Sequence, residues 1–354
     1  MIYFCKCHQF LCLSIIMPTQ NTYILAIESS CDDTACAILE NDRVLSNVVA
    51  NQKIHEQYGG VVPELASRAH QSNIIPVVDE ALKQAKIDKK QLSAIAFTKG
   101  PGLMGSLLVG TSFAKSLSLS LDIPLLDVHH MHGHILAHFI DDGQEKPSYP
   151  FLALTISGGH TQIVQVNSSS NLVVLGTTQD DAVGEAFDKS GKILGLGYPA
   201  GPQIDRLAKL GNPRKFEFPV PKAPDLNYSF SGFKTAVLYF LQRETKKNED
   251  FIKENLEDIC ASIQYTLIKI LFKKLEKAVI QTGIKQVAIG GGVSANSGIR
   301  EHLKSMESKG WKTFIPPFEY TTDNAAMIGI AGYFKYLEND FAGLDTTASP
   351  RIHM

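Results

Sequence analysis

The sequence contains one three-strand pattern twice, and this repeat restricts the folds open to the chain. Residues 23–49 (YILAIESSCDDTACAILENDRVLSNVV) run from an apolar segment through a small polar turn into two further strand-like segments. Residues 150–176 (PFLALTISGGHTQIVQVNSSSNLVVLG) repeat this order, and Ala26 aligns with Ala153. Apolar runs that enter turns of Ser, Gly, Asp and Thr are typical of β-hairpins. A single such turn needs no ligand to explain it, but two matching copies predict duplicated lobes facing a shared cleft.

Helical and strand-like segments follow each copy of the repeat. They are helix 74–87, strand 92–97 and strand 123–128 after the first copy, and helix 256–283 and a strand–turn–helix unit over 285–306 after the second. Alternating strands and helices of this kind predict an α/β chain with two lobes built on mixed sheets. The length of 354 residues also suggests two domains.

We therefore divide the chain into four parts. They are an extension over 1–22, a first lobe over 23–147, a second lobe over 148–326 and a C-terminal helix and tail over 327–354. The apolar segment 10–17 is shorter than the ~20 residues that a membrane span needs and lacks a signal-peptide cleavage site. We expect translation to start at Met17 or the extension to be disordered.

Composition narrows the functional classes. The formal net charge is -2, so the chain has no overall basic field, and RNA would have to be held by a local patch or with a partner. The six cysteines include no C-x-x-C pair, which favours reduced thiols in a cytosol over a metal or disulfide framework.

Two glycine-rich loops stand between a strand and a helix start, at 99–110 and 289–300. Such loops can bring backbone N–H groups and a helix N-terminus to an anion, although neither matches a Walker A or G-x-G-x-x-G pattern. Asn296 in the second loop can bond a ribose or base edge, or it can be a helix N-cap.

The run HHMHGH (129–134) places four of the 11 histidines in six residues at an expected helix start. His130 with His134, and His134 with His138, lie four residues apart and so share a helical face. Such a pair can hold a divalent metal with a distant carboxylate, or it can be a partly exposed polar helix end. The absence of H-E-x-x-H leaves a zincin-type peptidase unsupported.

Nine motifs, in order, resemble the TsaD (Gcp) family of tRNA adenosine threonylcarbamoyltransferases. They are ESSCDDT, YGGVVPELASRAH, GPGLMGSL, HHMHGH, SGGHTQ, GEAFDK, FSGFKT, GGGVSAN and TTDNAAMIG. The resemblance implies the two-lobed actin/Hsp70/sugar-kinase (ASKHA) fold. It also implies transfer of threonylcarbamoyl from threonylcarbamoyl-AMP to the N6 amine of adenosine 37, in tRNAs that read codons starting with A, with release of AMP.

The resemblance also implies the site residues. The metal ligands are His130, His134 and Asp323, for Fe²⁺ or alternatively Zn²⁺ or Mn²⁺. The substrate-binding positions are Thr155, Ile156, Ser157, Gly158, Gly159, Asp188, Gly201 and Asn296. Asp188 could equally cap the neighbouring helix. Asp32 matches an acidic cleft position and would act as a general base or orient the metal ligands.

This chain departs from the family pattern at two places. His132 stands where a carboxylate is common, but it points away from the face of His130 and His134 on a helix, so we expect the same ligand set. Ala200 replaces a common glycine before Gly201 and could crowd a nucleotide slightly.

The partners implied are tRNA, a TsaB-like paralogue and a TsaE-like ATPase, or a second copy in a homodimer, in the cytoplasm and without a membrane. The candidate tRNA contacts are scattered cations, each of which could also be an ordinary solvated charge: Arg68, Lys99, Lys189, Lys192 and Lys234. Among rival functions, a sugar- or acetate-kinase-like phosphotransferase is the strongest alternative. A zinc endopeptidase lacks its general base, and a scaffold paralogue should lack the metal triad.

Overall fold

Two five-stranded mixed sheets carry the chain in this computed structural model, which describes residues 21–354. The expected extension therefore lies outside the described residues, apart from Asn21 and Thr22. The first sheet has the order β3-β2-β1-β4-β5 and the second the order β10-β9-β6-β7-β8. The strands are β1 Tyr23–Glu28, β2 Thr34–Glu40, β3 Arg43–Ala50, β4 Ala94–Gly100, β5 Leu125–His129, β6 Phe151–Ile156, β7 Thr161–Val166, β8 Leu172–Thr177, β9 Gln286–Gly290 and β10 Lys312–Phe314.

The two sheets have the same topology, as the repeat predicts. β1, β2 and β3 are antiparallel, β4 adds to β1 in parallel, and β6, β7, β8 and β9 repeat the arrangement. The aligned residues also correspond in register, because Ala26 pairs with Ala96 and Ala153 pairs with Ala288. The predicted two-lobed α/β architecture with duplicated mixed sheets is confirmed.

Nine α-helices are described in residues 21–354. They are α1 Pro63–Ala85, α2 Met104–Leu121, α3 His130–Leu136, α4 Val183–Ile193, α5 Gly201–Ala208, α6 Ser231–Thr245, α7 Phe251–Thr282, α8 Ser297–Ser305 and α9 Ala325–Leu337. Short 3-10 turns cover Lys53–Tyr58, Lys89–Gln91, Ala137–Phe139, Gly292–Ala295, Met306–Lys309 and Phe318–Tyr320. In this part of the chain, no helix has the length and apolar character of a membrane span.

Two predicted helices differ from the structure at their N-terminal ends. α1 begins at Pro63 rather than near residue 74, because its buried face continues backwards through His70 and Ala66 at helical spacing. Proline is tolerated at the first position of a helix, where its missing N–H would have no partner. α7 begins at Phe251, but Asn255 has non-helical angles, so the regular helix starts close to the predicted residue 256.

Helices cover both faces of the first sheet. α1 and α2 cover the face that carries Leu25 and Ile27, and α9 covers the face that carries Ile24 and Ala26. The face under α9 is rich in alanine, which lets the helix approach closely. In the second lobe, α4, α6, α7 and α8 pack on one face of the sheet, while Ile135 of α3 packs against the other.

The C-terminal tail follows the first glycine loop and reaches the second sheet. Ser349 N–H donates to the carbonyl of Lys99 at 2.8 Å, and Gly102 N–H donates to the carbonyl of Pro350 at 3.3 Å. Met354 packs in the cluster that includes Phe151. The tail therefore contacts both lobes.

Substitution of Gly332 tests the close approach of α9. A Cβ atom built on Gly332 would lie 2.6 Å from Cβ of Ala96 in β4, so Gly332→Ala must displace the helix. We expect this variant to lower the free energy of unfolding by about 1–3 kcal/mol, as measured by urea denaturation. The matched control is Gly232→Ala near the start of α6, where an added Cβ meets nothing within 4 Å. It should be neutral or slightly stabilising, and equal losses in both variants would contradict the packing argument.

Candidate metal centre and substrate cleft

The two histidines of the expected pair lie at the start of α3, directly after β5. The imidazole Nδ1 of His129 accepts from Met131 N–H at 3.2 Å and caps the helix. His130 and His134 are 6% and 1% exposed, so this helix end is not a solvated polar surface. Their rings lie edge to face with centroids 4.8 Å apart.

Asp323 brings a carboxylate to these imidazoles from the opposite end of the sequence. It lies just before α9, where Asn324 caps the helix by accepting from Met327 N–H. Oδ1 of Asp323 is 3.4 Å from Nε2 of His130 and 3.2 Å from Nε2 of His134. The structure therefore brings together all three predicted metal ligands.

The donor set fits a divalent metal. One ligand atom from each of the three residues lies within 4.8 Å of the others. Two atoms that are each about 2.1 Å from a metal lie about 3.0–3.4 Å apart at octahedral or tetrahedral angles, which matches the two carboxylate–imidazole distances. Two imidazoles and one carboxylate leave further coordination positions for substrate or water.

The buried carboxylates and imidazoles of the cluster compensate each other's charge. Burial opposes the ionisation of Asp323, but His130 and His134 outweigh it and lower its pKa far below the ordinary range. Burial likewise opposes the protonation of His130. The carboxylates of Glu28 and Asp323 outweigh that effect and raise the pKa of His130 well above its usual value.

The other histidines of the run have different roles. The His132 ring stacks on the ring of His129 with centroids 4.8 Å apart, away from the three ligand atoms, as its helical position predicts. His138 lies 2.9 Å from the carbonyl of Ile289 through Nε2. His138 therefore lies outside the cluster, which contains the pair of His130 and His134.

The predicted ligand loop is the hairpin turn at the end of β6. Thr155 and Ile156 are buried in the strand, Ser157 is half-buried, and Gly158 and Gly159 are exposed with open space at their Cα positions. Ser157 closes the turn by pairing its backbone N–H with the carbonyl of His160 at 2.8 Å. The exposed glycines leave backbone groups accessible to an oxygen-rich ligand.

Glycine at the end of β9 brings the two lobes together beside this turn. A Cβ on Gly290 would lie 2.7 Å from the carbonyl oxygen of His134. Gly291 has a φ of 88°, and a Cβ there would lie 2.5 Å from the carbonyl oxygen of Ile156. These contacts place the ligand turn next to the helix that carries the imidazoles.

The first glycine loop is covered by protein. A Cβ on Gly102 would lie 2.4 Å from the carbonyl oxygen of Ser30, and the tail residue Ser349 lies against Gly100. Its glycines allow backbone segments to pack closely.

Asp188, Gly201 and Asn296 make capping contacts in the structure. Oδ1 of Asp188 accepts from the backbone N–H groups of Ala200 and Gly201 at 2.8 and 3.3 Å, at the start of α5. Asn296 accepts from Ile299 N–H and thereby caps α8. The capping alternatives for Asp188 and Asn296 are therefore realised. Ala200 is 2% exposed, so its methyl group is turned into the protein and does not crowd the cleft.

Two acidic residues of the first repeat, Glu28 and Asp33, lie close to the cluster. The sequence patterns did not predict either of them as a site residue. Glu28 is fully buried and lies 3.0 Å from Nδ1 of His130. Burial, together with Asp32, Asp323 and Glu28, raises the pKa of Asp33 to about 7. The available signal was the motif ESSCDDT itself, with carboxylates at the end of a buried strand. Among the described residues, Asp32 forms no hydrogen bond to the three ligands, and its role stays a prediction.

Comparisons with known proteins show the family to which the chain belongs. Residues 43–330 match the family model "TsaD: tRNA N6-adenosine threonylcarbamoyltransferase". The chain is 69% identical over 337 residues to a protein of Christiangramia forsetii bearing that enzyme name, covering 95% of this chain and 99% of the relative. It is 58% identical to a protein of the same name from Cytophaga hutchinsonii, covering 94% and 96% of the two chains.

A solved structure shares the fold at low sequence identity. Full-length HypF in its phosphate- and nucleotide-bound form superimposes with a TM-score of 0.58 at 14% identity, over 89% of this chain and 46% of HypF. This likeness supports the two-lobed fold and carries no information on the reaction.

The raised pKa of Asp33 predicts a pH-dependent cost to folding. Between the ordinary carboxyl pKa of 3.8 and about 7, the folded chain keeps a proton that the unfolded chain loses, so stability falls as pH rises through this window. In the metal-free protein, Asp33→Asn removes the cost. We expect its advantage over wild type in unfolding free energy to grow by at least about 1 kcal/mol between pH 5 and pH 8.

Urea denaturation at the two pH values measures this change. The control is Asp79→Asn at an exposed position of α1. A pH profile of Asp33→Asn that runs parallel to wild type would contradict the assignment.

Proposed function

The chain belongs to the TsaD family of tRNA N6-adenosine threonylcarbamoyltransferases, and we propose that it carries out this transfer at the cluster of His130, His134 and Asp323. The observation that supports the location is the convergence of three buried or half-buried ligand atoms within 4.8 Å. Threonylcarbamoyl-AMP is the donor of the threonylcarbamoyl group, and the N6 amine of adenosine 37 in tRNA is the acceptor.

We propose Fe²⁺ as the metal that these three residues hold, because two imidazoles and a carboxylate with open positions suit it. When bound, the metal supplies Lewis-acid stabilisation of charge on the carbamoyl or phosphate oxygens. The protein contributes the orientation of the three ligands, and the buried position of His130 and His134 limits access of water.

The ligand turn and the caps around it provide the substrate contacts. Exposed backbone at Gly158 and Gly159 faces open space and can bind phosphate or carbamoyl oxygens. Asp188 uses Oδ1 for its two backbone contacts, which leaves Oδ2 to accept from ribose hydroxyls. Asn296 retains one amide hydrogen beyond its bond to Gln264.

The reaction forms a bond between N6 of adenosine and the carbamoyl carbon and breaks the bond from that carbon to the phosphate oxygen. AMP leaves with the bonding electron pair. We assign removal of the amine proton to the acidic pair Asp32 and Asp33, because the pKa of about 7 at Asp33 suits a general base at neutral pH.

The proposed partners are tRNA, a TsaB-like paralogue and a TsaE-like ATPase, in the cytoplasm. A protein partner is supported by the outer face of α2, where Met104, Leu108 and Leu119 are 47%, 48% and 68% exposed. The other exposed positions of this helix are small and uncharged, namely Ser112, Ser116 and Ser120. Exposed apolar side chains in such a stripe are typical of a protein–protein interface.

A transfer assay tests the function and the metal ligands together. Unmodified tRNA, threonine, bicarbonate, ATP and a threonylcarbamoyl-adenylate synthase are mixed with wild type, His134→Ala or His132→Ala, with and without the two bacterial partners. We expect modified adenosine from wild type and from His132→Ala, and loss of at least about 100-fold from His134→Ala, because a ligand is removed. Bound metal is measured in each sample.

His132→Ala is the control, because His132 lies in the same run of histidines but outside the cluster. Absence of modification from folded, metal-loaded wild type under every partner combination would reject the transferase and favour the kinase-like alternative.

The predicted tRNA contacts differ in their ion pairing. Arg68, Lys99 and Lys189 form salt bridges to Glu64, to Asp127, and to Asp181 and Glu185 respectively. Lys192 and Lys234 have no salt bridge among residues 21–354, so they can neutralise phosphates without losing a protein partner.

We therefore expect Lys192→Ala and Lys234→Ala each to weaken tRNA binding and to reduce the salt slope of log K by about 1. The control is Arg68→Ala, whose guanidinium already has a carboxylate partner. Binding isotherms at several salt concentrations measure the slope, and equal slopes for all three variants would contradict this choice of contacts.

A further inference from the structure

Glu28 is a fully buried carboxylate that no step of the reaction uses. It lies at the end of β1 and is 0% exposed. Oε1 accepts from Ser30 N–H, and Oε2 accepts from the Thr98 hydroxyl at 2.7 Å and lies 3.0 Å from Nδ1 of His130. A charge in this position is costly unless its partners are well placed. The burial of Glu28 also rules out contact with substrate.

The contact selects one form of the His130 ring. An ionised carboxylate only accepts hydrogen bonds, so Nδ1 must carry a proton. When a cation displaces the second ring proton, the lone pair is therefore on Nε2, the atom that points at Asp323 from 3.4 Å. His134 has no such support, because its buried Nδ1 finds no hydrogen-bond partner in residues 21–354.

We propose that Glu28 is a positioning residue that holds His130 as the Nδ1–H tautomer and presents Nε2 to the divalent cation of the cluster. Glu28 thereby determines how tightly the cation is retained. This inference rests on the proposed metal site, but it concerns cation affinity and makes no statement about tRNA or the transfer step.

Replacement of Glu28 by glutamine is suited to test this role, because the surrounding groups can all keep partners. The amide oxygen can replace Oε1 and accept from Ser30 N–H. The amide nitrogen then takes the place of Oε2 and donates to Nδ1 of His130 and to Thr98. The Thr98 hydroxyl, released from its carboxylate partner, has the carbonyl of Ile27 at 3.4 Å as acceptor. The Ser30 hydroxyl lies 3.2 Å from Nδ1 of His130 and can donate to that nitrogen once it is unprotonated. We therefore expect Glu28→Gln to preserve the packing and to favour the opposite His130 tautomer, which binding of a cation at Nε2 must reverse.

The experiment compares zinc binding by metal-free wild type and Glu28→Gln, by competition with a chelator. Zn²⁺ is used as the probe because it has no redox chemistry. We expect the zinc dissociation constant to rise about 10–100-fold in the variant. We also expect NMR of the two zinc-bound proteins to show the Nδ1–H of His130 in a stronger hydrogen bond in wild type, where a carboxylate accepts it, than in the variant. A purely structural role for Glu28 would leave the chemical shift of that proton unchanged.

Asp127→Asn is the matched control. Asp127 is another poorly exposed carboxylate of the first sheet, held by Lys99 and Lys335. Its loss should lower the melting temperature and leave the zinc dissociation constant within about 3-fold of wild type. If Glu28→Gln fails to fold, Thr98→Val removes one bond to Oε2, and a rise of about 3-fold or more in the zinc dissociation constant supports the proposal.

The inference is overturned if folded Glu28→Gln binds zinc within about 2-fold of wild type, or if folded Thr98→Val does so where Glu28→Gln cannot be obtained. This result is separable from failure of the proposed function. If only the proposed function fails, wild type binds zinc more tightly than Glu28→Gln and still produces no modified adenosine.

Discussion

Helix α9 packs on the first sheet although the residues that precede it belong to the second. The chain leaves β10, passes Asp323 and returns to cover the alanine-rich face that includes Ala26 and Ala96. The close approach of Gly332 to Ala96 fixes the depth of this helix. Because Asp323 lies two residues before α9, the same packing sets its carboxylate beside the imidazoles of α3. The geometry of the candidate metal centre therefore depends on a helix–sheet contact made outside the cleft.

Charge compensation explains why the cleft is built as it is. Glu28, Asp323, His130 and His134 share a space with little water, where an unpaired charge would be costly. Each of these two carboxylates meets at least one imidazole, and His130 lies between them. Asp33 has no such partner within residues 21–354, and burial and neighbouring carboxylates raise its pKa instead. One small region thus contains both the candidate metal cluster and a carboxyl group whose pKa is raised to about 7.

Several of the residues expected to bind substrate also hold the cleft together. Asp188 and Asn296 cap α5 and α8 through one oxygen each, which leaves Oδ2 of Asp188 and one amide hydrogen of Asn296 for a nucleotide. Asn296 is the N-cap of α8, shortly after β9, and a helix start near the end of a strand is also where a nucleotide binds in α/β folds. Asp188 instead reaches the start of α5 from within α4. Structural and binding roles therefore coincide at these positions, and a substitution there is expected to affect both.

The sequence alone determined the two lobes, the strands of each repeat and the pairing of His130 with His134. These follow from local spacing, because a period of two marks a strand and a separation of four places side chains on one helical face. The family resemblance added Asp323, which lies 189 residues from His134.

Only the tertiary structure decided which carboxylates matter and how. Nothing in ESSCDDT distinguishes Glu28, buried against His130, from Asp33, whose pKa is raised by burial. The tertiary structure also showed that the first glycine loop is covered by Ser30 and the tail. The physical reason is that desolvation and charge pairing depend on which distant segments pack together, and backbone spacing within one segment carries no record of that.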